Sequence, residues 1–197
     1  MSSAGSKPYL TATPANHAAE TGTAFARRVA AIHRELGIGS DYMANCKLPL
    51  YPEPAQLVDT EPDYYGRPQR LTPEAFAAWQ DMKQRAAAEH ITLHLISAFR
   101  DLEYQQGLIA RKLAAGQPLA EILRVNAAPG FSEHHTGRAI DVGTLGCEAL
   151  VEEFENTVAY QWLEANAAAH GFDLSFPRGN PYGIDYEPWH WCFKNSS

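Results

Sequence analysis

Residues 131–141 (FSEHHTGRAID) constrain the fold more than any other stretch, because they place metal-binding side chains around a turn. His134 and Asp141 are seven residues apart, and on one continuous strand their side chains would point to opposite faces. They can share a metal ion only if the chain turns between them. Thr136-Gly137 is the expected position of that turn, since glycine readily adopts the left-handed conformations of tight turns.

A second short stretch near the C-terminus, residues 187–190 (EPWH), adds a third imidazole and a further carboxylate. Two imidazoles and one carboxylate form a usual ligand set for catalytic zinc, with the fourth position open to water. The charge of such an ion lowers the pKa of the bound water from about 15.7 to roughly 7. We therefore predict one zinc ion held by His134, Asp141 and His190, with Glu187 as the general base.

Three further polar residues are candidates for substrate binding. Arg100 follows a predicted strand, and its planar guanidinium could stabilise an oxyanion or grip a carboxylate. Gln105 lies one turn into the next predicted helix and could contact a carboxylate or a peptide group. Ser132 lies two residues before the first histidine ligand and could hydrogen-bond a substrate amide.

Several nearby residues also have ordinary structural interpretations. A single histidine is more often a surface or core residue than a ligand, and we interpret His33 and His94 in that way. His135 is a possible competing ligand, although adjacent residues in an extended chain point apart. Cys192 lies two residues after a ligand, and we interpret it as a small buried apolar residue.

The apolar spacing predicts an α+β fold, with a mostly antiparallel sheet that carries the zinc site on one face and has flanking helices. We predict helices at 23–36, 72–89, 102–115, 118–125 and from about 147 or 150 to 169. We predict strands at 91–95, 138–142 and 172–176, and over 184–193 either a return strand or a turn followed by a strand. The last of these helices should turn its apolar residues inward, namely Leu150, Phe154, Val158, Trp162 and Leu163. Residues 38–70 are rich in proline and glycine, and we interpret them as loop and as a candidate groove wall.

Length and composition set the remaining limits. We predict a flexible arm over 1–22, which is small and polar, and a single domain over 23–197 whose motif-bearing core spans about 71–193. A net charge of −7 without a basic run gives no reason to expect nucleic acid as a partner. No apolar run could span a membrane, and no signal peptide is visible. We therefore expect a cytoplasmic protein, with the periplasm or cell envelope as the alternative if a leader was removed or another export route is used.

Three segments together resemble the zinc D-alanyl-D-alanine carboxypeptidases of the VanY type, which share a fold with lysostaphin-type enzymes and the hedgehog signalling domain. Residues 132–141 resemble the SxHxxGxAxD motif of that family, and residues 187–191 resemble its ExWHW motif. Residues 97–105 resemble its SxYRS…Q segment, with Phe99 for Tyr and Asp101 for Ser. The resemblance covers about Leu71 to Phe193.

The resemblance implies a zinc peptidase domain that removes a terminal D-alanine from peptidoglycan stem peptides or muropeptides. It implies the same metal ligands, Glu187 as catalytic base, Arg100 and Ser132 in binding the substrate and transition state, and Gln105 near the terminal carboxylate. One departure is Cys192, where many relatives carry Arg. The difference affects a contact behind the metal ligands and leaves the ligand set unchanged.

The sequence leaves the choice among related functions open. D,D- and L,D-carboxypeptidases, a D-Ala-D-Ala dipeptidase and a peptidoglycan endopeptidase all fit the motifs. A non-catalytic zinc-binding recognition domain is a further alternative, although a structural site would not need the carboxylate of Glu187.

Overall fold

The computed structural model describes residues 22–194, so the predicted arm lies outside the described residues except for Gly22, which begins the first helix. The prediction of a single domain over 23–197 stays a prediction. The elements in chain order are α1 (Gly22–Leu36), α2 (Tyr42–Asn45), β1 (Val58–Asp59), β2 (Arg70–Leu71), α3 (Pro73–Ala88), β3 (His94–Ser97), α4 (Leu102–Ala114), α5 (Leu119–Val125), β4 (Ala139–Gly143), α6 (Val158–Asn166), β5 (Phe172–Leu174) and β6 (His190–Phe193). Three 3₁₀ turns occupy Glu133–Thr136, Glu152–Asn156 and Ala167–His170. Among these residues no helix is long and apolar enough to cross a membrane.

An antiparallel four-stranded sheet forms the centre of the fold, and its strand order is β3-β4-β6-β5. A separate two-stranded ribbon pairs β1 with β2. The helices pack around the larger sheet, so the predicted α+β class is confirmed. The strands are shorter than predicted, and β6 begins at His190 directly after a turn, which is one of the two arrangements predicted for 184–193.

Alternation along the strands divides the sheet residues between the core and the site. Ile140, Val142 and Trp191 join a hydrophobic cluster that is also built from α3 and α6. Asp141 lies between Ile140 and Val142, and His190 is next to Trp191, so both side chains point to the opposite face. A second hydrophobic cluster, which includes residues from α1, α4 and α5, contains Phe25, Val29, Ile32, Leu102, Ile109, Ile122 and Phe131.

The long helix predicted over about 147–169 is wrong. The chain forms a 3₁₀ turn at Glu152–Asn156, and α6 begins only after Thr157, whose hydroxyl accepts a hydrogen bond from the Tyr160 N–H. Leu150 has a left-handed backbone, with φ of 60°, so a right-handed helix cannot run through it. Leu150 and Val158 are exposed, whereas the other three residues predicted to face inward are buried: Phe154, Trp162 and Leu163.

The loop over residues 38–70 has mainly a supporting role. Its last part runs along the outer edge of β3: the Tyr64 N–H donates to the Leu95 carbonyl, and the Phe99 N–H donates to the Arg70 carbonyl. These contacts satisfy backbone groups that an uncovered edge strand would leave exposed. Glu53 accepts a hydrogen bond of 2.8 Å from the N–H of Leu102, the first residue of α4.

The predicted turn after the first histidine motif is present. The 3₁₀ turn Glu133–Thr136 ends at Gly137, whose φ is +63°. A Cβ on this glycine would lie 2.6 Å from Cδ2 of Leu57, closer than real Cβ contacts allow. Glycine is therefore favoured here by the backbone conformation, and an added Cβ would also displace the end of the Leu57 side chain.

We expect Gly137→Ala to destabilise the protein by about 2–3 kcal/mol, because it combines the left-handed backbone cost with a steric clash. Gly146→Ala is the matched control, because Gly146 also has a positive φ of +80° but has open space around it. The control should cost only about 1 kcal/mol. Chemical denaturation of both variants measures the difference, and equal losses would contradict the steric part of the explanation.

Candidate metal centre

The register between β4 and β6 brings two of the predicted ligands together. Asp141 lies directly opposite His190, and facing residues of paired strands project from the same side of the sheet. The Asp141 Oδ1 atom is 3.1 Å from Nδ1 of His190. Both side chains are almost completely buried.

The third predicted ligand, His134, comes from the 3₁₀ turn that precedes β4. Its Nδ1–H donates a hydrogen bond of 2.6 Å to the carbonyl of Ala98, so the lone pair lies on Nε2. This Nε2 atom is 3.3 Å from Oδ1 of Asp141 and is a buried polar atom without a hydrogen-bond partner. Buried polar atoms normally have a hydrogen-bond partner, so the unpaired Nε2 lone pair beside a carboxylate indicates a position for a metal ion.

Together the three side chains have the composition and spacing of a metal site. One ligand atom from each of His134, Asp141 and His190 lies within 4.8 Å of the other two, so the three side chains form a group that could hold a metal ion. Imidazole nitrogens and a carboxylate suit zinc and similar ions. The residues present therefore fit a bound metal ion.

Glu133, which sequence reasoning did not assign to the site, supports one ligand from behind. Its Oε2 atom is 3.1 Å from Nε2 of His190, and its Oε1 atom accepts a hydrogen bond of 2.9 Å from Nζ of Lys194. Burial alone would raise the pKa of Glu133, but the contacts with His190 and Lys194 hold it below its usual value. A carboxylate behind a histidine ligand orients the ring and makes it a better donor. Its position next to His134 was the only sequence signal for this role, because its contacts with His190 and Lys194 join segments that are far apart in the sequence.

The protonation of His190 follows from its two carboxylate neighbours. Burial would lower the pKa of His190, but hydrogen bonds with Asp141 and Glu133 raise it to about 10. A metal ion bound at Nδ1 would replace the proton there, whereas the proton on Nε2 would remain on the Glu133 side.

Glu187 lies beside the ligands without belonging to their group. Its Oε2 atom is 3.9 Å from Nδ1 of His190, and its side chain is only 12% exposed. Burial raises the pKa of Glu187 to about 7; the charge of Asp141 adds to this effect, while His190 and Arg100 oppose it. A carboxyl group that exchanges its proton near neutral pH is suited to general acid–base chemistry.

A small pocket of about 30 Å³ opens next to the ligands and contains all three predicted substrate-binding residues. Arg100 and Ser132 line it together with Glu187, and Nε of Arg100 is buried without a hydrogen-bond partner. Gln105 donates from Nε2 to the Ala127 carbonyl at 2.8 Å, which leaves its Oε1 atom buried and unpaired. Because that oxygen is an acceptor, it suits a substrate N–H better than a carboxylate.

His135 and Cys192, the other two candidates close to the ligands, have structural roles. His135 donates from Nδ1 to the Arg100 carbonyl at 2.6 Å and accepts at Nε2 from the Gly130 N–H at 3.0 Å, so neither nitrogen is available to a metal. It therefore fastens the loop of Arg100 to the metal-binding segment. Cys192 is buried, and burial raises the pKa of its thiol to about 12, which keeps it neutral.

The fold and this site are those of a metallopeptidase, and comparison with known proteins identifies the family. The profile of the family VanY, D-alanyl-D-alanine carboxypeptidase, matches residues 68–196. The chain therefore belongs to the VanY-type D-alanyl-D-alanine carboxypeptidase family, as the three sequence motifs predicted.

Individual relatives agree with this assignment. The chain is 29% identical over 152 residues to a D-alanyl-D-alanine carboxypeptidase of Enterococcus faecalis, an alignment that covers 72% of this chain and 54% of the relative. It thus spans about half the length of that relative. Among solved structures, the LdcB LD-carboxypeptidase superposes with a TM-score of 0.64 at 28% identity, over 72% of this chain and 69% of the other. VanYB in complex with D-alanine-D-alanine gives a TM-score of 0.56 at 28% identity, over 74% and 84%.

We expect Glu133→Ala to weaken metal binding by roughly 10- to 100-fold, because the ligand ring loses the carboxylate that orients it. Glu133→Gln keeps an oxygen that can accept from the ring N–H, so it should restore part of the affinity. Metal affinity is measured by competition with a chromophoric chelator, without reference to activity. Glu164→Ala, which removes an exposed carboxylate from α6, is the control. Unchanged affinity in both Glu133 variants would refute the supporting role.

Proposed function

We propose that the protein is a zinc-dependent carboxypeptidase that removes a terminal D-alanine from peptidoglycan stem peptides. The observation that carries this proposal is the buried group of His134, Asp141 and His190, which opens onto a pocket that also contains Glu187 and Arg100. A purely structural metal site would need neither an adjacent proton acceptor nor an arginine in a pocket. The family assignment supports the same activity.

Each residue around the metal site has a separate role in the proposed reaction. A zinc ion, when bound, supplies a positive charge that lowers the pKa of water and polarises a carbonyl. Glu187 takes the proton from the attacking water and returns it to the leaving amine. Arg100 lines the pocket and has an unpaired Nε, so its guanidinium can stabilise the developing oxyanion or bind the terminal carboxylate. Ser132 and Gln105 bind the amide groups of the peptide.

The lining of the pocket supports a substrate that ends in a carboxylate, because Arg100 and Glu187 lie among its walls. Val125 and Ile184 add apolar surface next to these polar groups. Both D,D- and L,D-carboxypeptidase activity are consistent with these walls.

The proposal is tested by hydrolysis of a UDP-muramyl pentapeptide and the matching tetrapeptide by zinc-loaded protein, with and without a chelator. We expect chelator-sensitive loss of one alanine, detected by mass spectrometry. Loss from the pentapeptide would identify a D,D-carboxypeptidase, and loss only from the tetrapeptide an L,D-carboxypeptidase. If zinc is bound and neither peptide is cut, the proposed activity is wrong.

We expect Glu187→Gln to lower kcat by roughly 10²- to 10⁴-fold, because the amide cannot accept the proton of the attacking water. Metal affinity should change little, since Glu187 is outside the ligand group. Asp185→Asn is the control: it removes a nearby carboxylate that pairs with Arg124 on the surface, and such pairs contribute little to stability. A Glu187→Gln variant with wild-type kcat would exclude this residue as the base.

A further inference from the structure

Lys194, the residue that follows β6, projects from the same face of the sheet as the metal ligand at the start of that strand. Trp191 and Phe193 pack with the hydrophobic cluster on the other face. Side chains alternate along a strand, so His190 and Lys194 share the face of the metal site. The Lys194 N–H donates to the Gly171 carbonyl at 2.7 Å, which continues the pairing of β5 with β6. The sheet therefore fixes the point from which the lysine side chain extends.

The ammonium group of Lys194 holds one oxygen of the carboxylate whose other oxygen faces a metal ligand. Its Nζ atom lies 2.9 Å from Oε1 of Glu133, whereas Oε2 of Glu133 lies 3.1 Å from Nε2 of His190. The last torsion of a glutamate side chain has broad, shallow preferences, so the side chain alone does not set the plane of its carboxylate. That plane depends on what binds the two oxygens.

The two partners of this ion pair differ in their exposure to water. The Glu133 side chain is 5% exposed, whereas that of Lys194 is 48% exposed. The buried carboxylate has lost its hydration and needs partners, while the lysine can bind it and still keep much of its own hydration. The Tyr51 hydroxyl is 3.4 Å from the same oxygen, which is long for a hydrogen bond between oxygens. Tyr51 is therefore a poor substitute for the ammonium group.

We propose that Lys194 is a positioning residue of the metal centre. By holding Oε1 of Glu133, it keeps Oε2 directed at His190 and thereby keeps the imidazole in the orientation that binds a metal ion. Lys194 does not line the pocket beside the ligands, so it acts on the site through Glu133. The proposal rests on metal binding, which is one part of the proposed function, and not on cleavage of a peptide.

A positive charge near a metal site also repels the metal ion, and this effect opposes the one proposed. It is weakened because the lysine is half exposed, where solvent and salt screen its charge. A hydrogen bond that fixes the partner of a ligand is not screened in this way, since Glu133 is buried. We therefore expect positioning to outweigh repulsion.

The test measures zinc affinity of the full-length protein by competition with a chromophoric chelator, without any peptide. We expect Lys194→Met to weaken zinc binding by roughly three- to tenfold, less than the loss caused by removing a direct partner of a ligand. Methionine keeps much of the apolar stem but has neither charge nor donor. Lys194→Arg keeps both, so it should restore most of the affinity. The absorption spectrum of bound cobalt should change in the methionine variant and return in the arginine variant.

A double-variant cycle distinguishes positioning from a general effect on the fold. In a Glu133→Ala background, Lys194→Met should leave zinc affinity unchanged within about twofold, because the carboxylate through which the lysine acts is absent. Lys83→Met is the matched control. It removes another half-exposed lysine with an ion pair of 3.0 Å, to Glu61, from a helix that packs on the opposite face of the sheet. This control should leave zinc affinity and the cobalt spectrum unchanged.

Unchanged or tighter zinc binding by Lys194→Met would overturn the proposal, as would an equal loss of affinity in the Glu133→Ala background. Either result would leave the proposed peptidase function standing. Failure of that function would show separately, as absence of chelator-sensitive hydrolysis by the zinc-loaded wild-type protein.

Discussion

The pairing of β4 with β6 is the constraint on which the rest of the site depends. It sets Asp141 opposite His190 on a buried face, so that a carboxylate and an imidazole meet where water is excluded. A slip of one residue would exchange the two faces of β6 and move Trp191 into the site. The hydrophobic cluster behind the sheet, to which Trp191 belongs, therefore fixes the metal-binding geometry as well as the stability of the fold.

Burial of the two carboxylates Asp141 and Glu133 is tolerated because each has partners. Asp141 lies between two histidines, and Glu133 lies between His190 and Lys194. Removing one member of such a chain would leave an uncompensated charge in a medium of low polarity, which is strongly destabilising. The same partners hold the ligand rings in position before an ion binds, so the network that stabilises the site also preorganises it.

Arg100 is held at the candidate metal centre through its main chain. His135 donates from Nδ1 to the Arg100 carbonyl at 2.6 Å, and the Arg100 N–H donates to the His134 carbonyl at 3.3 Å. Because Arg100 also lines the pocket beside His134 and His190, the turn that carries the first candidate ligand also positions the arginine.

The sequence by itself determined the candidate metal ligands, the turn at Gly137 and the adjacent carboxylate, because short-range spacing and a glycine in a tight turn carry that information. The broken helix near Leu150 was not predictable, since apolar spacing does not report a left-handed residue imposed by the surrounding chain. The role of Glu133 also depended on contacts between distant segments. Only the tertiary structure decided these features, because strand register and loop packing bring together residues whose spacing along the chain carries no signal.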